Sequence, residues 1–527
     1  MNIEPLEARI APAILNPAGN VLTYTDVDGD FVKITFTGAT MIQTDFDFGG
    51  GFNPGTDTVQ QPLTTIHLVG KTGAGFTLTA TPTGGKGDSH ANFNSIDAVG
   101  TDLGTIKVDG DVVAINVGSG APGTVGLKSF NALSMGQATV GSASSALKNV
   151  GSFSVKTNVS NGTLTFTGGV KSLSIGGDLQ ELANDRAALE ITGDVGTLKI
   201  GGSVIGRNSG QPNISISDDV GTFSIGGSVI GGDTDITTGF FTQIVAGAVT
   251  SFSLGGDLRG GLGNGGGGIV LNNVGTAKID GSIIGTDDVS TSGYFRVLGD
   301  AKSVTIGGSI LGGDATTGTV SDNGLLSIKA SVGTLKLGHD LIGGRENGGS
   351  FFTSSMISVG GTLGNMTVGG SLVGDRTHAA YISVGGGSTG TVAAIKTLKV
   401  TGNVIHSRIL AGYTLGKDQL NLDSGFGSIT IGGNLTASSI TAGSDKGGDG
   451  VAGTGDDGAI SSVATIGSVK IGGAFQGLAG DSVTKFYIFA PLVNKLTVAK
   501  ASYNHAQLFA IVEFNSVGRA LADSALL

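Results

Sequence analysis

Asp26-Val-Asp-Gly-Asp30 sets three carboxylates at alternate positions around a glycine. Ca2+ is a hard cation that takes several oxygen ligands, and this spacing is similar to the opening of an EF-hand loop. The bidentate Glu that such a loop needs eleven residues after Asp26 is missing, and Thr37 stands in its place. An Asx-type hairpin turn accounts for the same residues, because Asp side chains readily bond to backbone two residues on. A second acidic group, Asp445, Asp449, Asp456 and Asp457, lies in the Gly-rich run GSDKGGDGVAGTGDDG. Four carboxylates without bulky neighbours can converge on one cation; the alternative is a solvated loop. Both groups are candidate Ca2+ sites, and no other cofactor is implied.

Basic residues form a second pattern. Two places past a recurring 14-residue unit stand Asp233, Asp287 and Asp314, and in later units Arg345, Arg376 and Arg408, with His378 and His406 nearby. Stacked guanidinium groups can grip an acidic polysaccharide through bidentate contacts. Solvated corner charge, offset by Glu346 and Asp375, is the plainer reading. No paired carboxylates of a glycosidase, no Ser/His/Asp set and no zinc spacing emerge, so no catalytic residue is assigned and the chain reads as non-enzymatic.

The elements that must position these residues are repeats. VGTLKIGGSVIG at Val195–Gly206 returns as VGTFSIGGSVIG at Val220–Gly231. Copies of the unit start at Thr101, Lys128, Lys148, Gly168, Gly193, Asp218, Gly247, Asn272, Gly299, Ala330, Gly361, Ala393, Ser424 and Ala464. Its sixth and eighth positions are apolar throughout, and the seventh is only Lys, Ser or Thr. Such alternation at period two predicts a half-buried strand. The tenth position is Gly in eleven of these fourteen copies, which marks a corner needing positive φ or close backbone approach. The twelfth opens a second short strand, and a third follows in many copies.

Three short strands per coil predict an all-β fold: a right-handed parallel β-helix (β-solenoid) of about fourteen coils. Stacked roughly 4.8 Å apart, these would extend on the order of 65 Å. Loops of variable length are expected to leave at one corner. A β-propeller needs four antiparallel strands in about 40–45 residues, longer than most units here. Residues 1–100 are read as an N-terminal β-rich cap, 101–477 as the solenoid and 478–527 as a C-terminal cap, with 515–527 helical or frayed. Outward Thr, Ser and Lys suggest an ice-binding face, but Lys interrupts six copies, and Lys on exposed strands guards against sheet association.

Composition bounds the function. The chain has 527 residues with 97 Gly, 39% hydrophobic residues, no Cys and a formal net charge of −11. The apolar content argues against disorder, and the charge disfavours nucleic acid, whose phosphates need clustered Lys and Arg. Without Cys there are no disulfides or thiolate metal sites. No apolar run is long enough for a transmembrane helix, and the first residues do not read as a signal peptide.

IEPLEARIAPA at 3–13, TYTDVDGDFVKITFTG, the GDVGTLKIGGSVIG repeats, RILAGY at 408–413, SITIGGNLTASSITAG and GGDGVAGTGDDG resemble a family of secreted, Gly-rich β-solenoid repeat proteins of Planctomycetes and Verrucomicrobia. Members carry an N-terminal Leu-Glu-x-Arg segment. The resemblance covers most of the chain and fades after Phe489. It implies an exported, surface-associated, adhesin-like protein without enzymatic activity, whose partners would be surface glycans or other cell-surface proteins. The family's basic, apolar leader ahead of Leu-Glu is not seen here. The alternatives are a polysaccharide-binding or polysaccharide-degrading β-helix and a self-assembling filament.

Overall fold

In Val195–Ile200 the side chains of Leu198 and Ile200 are fully buried while Thr197 and Lys199 face water. Each buried Leu or Ile stabilises the fold by about 1.5–3 kcal/mol relative to exposure, so the alternation fixes which face turns inward. The computed structural model describes residues 13–49, 61–83, 87–136, 144–160, 162–181, 187–206, 213–232, 243–262, 266–375, 378–387, 390–414, 419–448, 452, 457, 460–477, 487–504, 512–514 and 520–522. These residues build a parallel β-solenoid of about fourteen turns, divided into two units, residues 1–226 and 227–527. Among them the only helix is the 3-10 turn Gln43–Asp45, and no helix is long and apolar enough to cross a membrane.

In the first unit, inward residues stack like on like: Leu173 pairs with Leu198, and Leu198 with Phe223. In the second unit Leu335, Met366, Leu398, Ile429 and Val469 form one parallel file. The two-residue strands stack beside it, as Leu341, Leu372, Val404 and Leu435. A third file runs Leu326, Ile357, Ile382, Ile409, Ile440. Three strands per coil are thus present. One repeat start shifts: Phe130 pairs with Ile106 and Phe153, so the second repeat copy begins at 125 rather than Lys128. That coil's corner is one residue short, with Met135 opposite Val112.

From Val155 onward the corner between the first two strands spans three residues, as from Ile200 to Val204 in one coil and from Ile431 to Leu435 in another. Its Gly is required by close approach. A Cβ on Gly202 would stand 2.1 Å from Asp178 Oδ1, and one on Gly433 2.2 Å from Asn403 Oδ1. Length varies at the other two corners, not one. Insertions follow the two-residue strand at Arg259–Gly268 and Leu311–Thr319, but in the last coils they follow the third strand, at Val384–Ala393, Ala411–Gly425 and Ala442–Thr465. These later insertions fold back. Tyr413 and Ala452 pack with Tyr294, Leu325, Met356, Tyr381 and Leu410 into a second apolar cluster. The third strands there are consequently buried on both faces, as in Ala380–Val384, rather than half-buried.

At the N-terminus of the first unit the strands turn antiparallel. Val21–Thr25 pairs with Asp30–Thr37, and the latter with Gly75–Pro82. Gly75–Pro82 in turn pairs in parallel with Leu103–Gly118, matching Phe76 to Ile106. Phe36 contacts both Phe46 and Phe76, so aromatic packing covers the first parallel edge. In the second unit, Lys495–Val498 adds a parallel strand on Thr465–Ile471 and is closed by antiparallel Ala501–Asn504. Of the stretch 515–527, expected to be helical or frayed, only Ala520–Ala522 lies among the described residues, and it is a strand, not a helix. It pairs with Val512–Phe514, where β-branched and aromatic residues favour a strand.

Candidate metal centre

Asp26 closes one arm of the antiparallel hairpin and Asp30 opens the other, with Gly29 turning between them at φ 105°. Asp26 Oδ1 accepts the backbone N–H of Gly29 (3.2 Å) and of Asp30 (2.8 Å), so the Asx turn expected from the sequence is present. The turn also gathers acid: one oxygen each from Asp26, Asp28 and Asp30 lie within 4.8 Å of one another. Asp28 is exposed, Asp26 is buried, and Asp30 is fully buried at 0%.

A distant segment packs onto this group. Asp88 N–H donates to Asp28 Oδ2 (3.2 Å) and His90 N–H to Asp30 Oδ2 (3.1 Å), both from sixty residues away. Gly87, at φ 95°, makes the approach possible, since a Cβ there would stand 1.9 Å from Asp30 Oδ1. Asp30 Oδ1 is enclosed and has no hydrogen-bond partner.

Burial, followed by the hydrogen bond shared with Asp28, pushes Asp26 up to about 7. The same hydrogen bond holds Asp28 below the usual carboxylate range. Three carboxylates this close repel one another when all are ionised, and a proton or a hard cation relieves that repulsion. Burial and then the Asp26 charge raise the Tyr24 phenol far above its ordinary value. Thr37, at the place of an EF-hand's final Glu, is exposed, and its hydroxyl donates to Gly75 O (3.3 Å), so the resemblance to that loop stops at its opening.

The other sequence candidates are placed as follows. Asp445 Oδ1 accepts from Gly447 N (3.1 Å), and Asp457 Oδ2 accepts from the Tyr487 hydroxyl (2.9 Å). Asp449 and Asp456, which with these two made the second Ca2+ candidate, lie outside the described residues, as do Arg376 and Asp233. Arg345 is exposed in a corner loop, and its N–H donates to Asp314 Oδ1 (2.8 Å). Arg408 sits on the strand Ser407–Ala411, in register with Tyr381, whose own partner in the preceding coil is Met356. Its guanidinium donates to the Tyr381 hydroxyl (2.6 Å) and lies 5.5 Å from that ring's centre. His378 is buried beside Glu346, 3.6 Å away.

A polar ladder escaped sequence reasoning. In most units from Lys148 onward the eleventh position, after the corner, delivers a side-chain oxygen to the backbone N–H of the next coil. In the first unit Asn158 accepts from Asp178 (2.7 Å) and Asp178 from Ser203 (2.6 Å). In the second the series runs from Ser228 through Asp257, Ser282, Ser309, Asp340, Ser371, Asn403 and Asn434 to Ala474. A shorter ladder links Asn273, Asp300, Ser331 and Thr362, and another links Asp287, Asp314 and Arg345. The signal was the exchange of Ser, Asp and Asn at one fixed position. These residue types share a short side chain carrying a hydrogen-bond acceptor.

No protein-family model, no curated protein and no solved structure matches this chain.

Proposed function

We propose that this chain is a non-enzymatic structural protein of the cell surface or extracellular space, adhesin-like, whose solenoid displays corner loops to surface glycans or other cell-surface proteins. One observation carries the reading. The interior files and the three-residue corner are repeated with little change, while length and polarity vary at the other two corners. A scaffold that must hold its form while its surface diversifies has this division of labour. The resemblance of the repeats to secreted solenoids supports the same reading. So does the engagement of several chemically capable residues: Asp287 and Asp314 serve the ladder, and Arg408 is held by Tyr381.

The experiment is a glycan-array and cell-surface binding assay of the full chain, run beside a polysaccharide lyase and hydrolase screen. The expected outcome is binding without turnover, lost when the 344–349 loop is replaced by Gly and Ser while the melting temperature holds. Turnover of any polysaccharide would overturn the reading in favour of a degrading β-helix.

A further inference from the structure

We propose that Asp26, Asp28 and Asp30 form a Ca2+ site that fixes the hairpin turn on which the 87–90 segment packs. The acidic cluster alone would be only a turn. The second observation is Asp30, a fully buried carboxylate that shares an oxygen cluster with Asp26 and Asp28 and whose Oδ1 has no hydrogen-bond partner. A buried acceptor left unpaired is costly, and a cation bound by this carboxylate would supply a partner.

The donor set is oxygen only, which selects a hard cation. The His90 ring points away, with Nδ1 3.3 Å from Asp109. Mg2+ demands near-ideal octahedral geometry and gives up its waters reluctantly, whereas Ca2+ tolerates irregular shells. A site enclosed on the Asp30 side and open at Asp28 favours Ca2+.

The position suggests what the ion does. Asp30 pairs with Pro82 at the end of Gly75–Pro82, the strand that passes from antiparallel to parallel pairing. The hairpin turn and the 87–90 segment meet there through single hydrogen bonds from Asp88 and His90. An ion held by Asp26, Asp28 and Asp30 fixes the turn whose Asp28 and Asp30 accept the N–H groups of Asp88 and His90, and so steadies the cap where the chain leaves it.

The test uses the full chain after EDTA treatment, with Tb3+ as a luminescent probe excited through tyrosine. Tyr24 is buried and close enough to feel the Asp26 charge, which makes it the antenna. Tb3+ emission should saturate at one equivalent and be displaced by Ca2+ but not by equimolar Mg2+, and Ca2+ should raise the melting temperature. Asp28→Asn, which keeps an oxygen to accept Asp88 N–H, should weaken Ca2+ binding about tenfold. Tyr24→Phe should lose the emission and keep the Ca2+-induced rise. The proposal fails if Asp28→Asn and Asp30→Asn both leave emission and melting rise intact. It also fails if Mg2+ competes as well as Ca2+, if Ca2+ produces no binding heat, or if Asp445→Asn/Asp457→Asn abolishes the signal instead.

Discussion

At corner glycines such as Gly202 and Gly433, a single added methyl group meets the side chain of the coil before. At Gly433 a Cβ would occupy the space where Asn403 presents the oxygen that receives Asn434 N–H. Gly433→Ala should therefore cost about 1–3 kcal/mol, because it displaces a made hydrogen bond as well as adding a clash. Urea unfolding of the single and double variants checks the cause. With Asn403→Ala also present the two losses should fall short of their sum, and strict additivity would sink the explanation. His67 offers a pH test. Its Nε2 lies 2.8 Å from Asp47 and its Nδ1 3.5 Å from Asp97. The hydrogen bond to Asp47, partly opposed by burial, raises its pKa above the ordinary 6.5. A raised folded value means the protonated form is favoured by folding. That stabilisation is complete below 6.5 and is lost as pH climbs through the folded value. The melting temperature should fall slightly between about pH 6 and pH 8, and His67→Gln should flatten that slope.

Among the elements, the third strand of the second unit departs most from its sequence pattern. Met356 stands outside the main core file yet is wholly buried, because inserted residues from further along the chain close over it. Met356→Ala should destabilise by about 2–5 kcal/mol, as for a core position. A surface-like loss of under about 0.5 kcal/mol in chemical denaturation would show that the second cluster is loose. The same strand shows the limit of legibility. Leu198 and Ile200 could be placed inward from alternation alone, since burial and polarity change every residue. Tyr381 could not, since its cover comes from Tyr413 and Ala452, which no local period connects to it. The Asp26 turn was legible as acid and as a turn. Its contact with Asp88 and His90 depended on the chain returning after sixty residues, and on Gly87 leaving room.

For the molecule as a whole, the repeat makes stability a matter of neighbours. Removing residues 331–361 joins Ala330 to Thr362, whose N–H would then meet Asp300 Oδ1 in place of that of Ser331. Ser371 would likewise replace Asp340 as the donor to Ser309. This excision of one full coil should leave a folded chain with a melting temperature lower by only a few degrees. Excising 331–345, half a coil, breaks all three files and should yield insoluble protein. Circular dichroism and light scattering on the two deletions distinguish these outcomes, and an insoluble full-coil deletion would refute the nearest-neighbour picture. The ladder also bears on how such a chain came to its present length. Every coil from Ser228 onward offers its successor the kind of acceptor it was itself built upon, so a gene that duplicates one coil has no new interface to invent. Ser, Asp and Asn can replace one another along the series as synonyms, provided an oxygen is delivered. At Ala474 the side chain offers none, and there the lineage of copies reaches its last word.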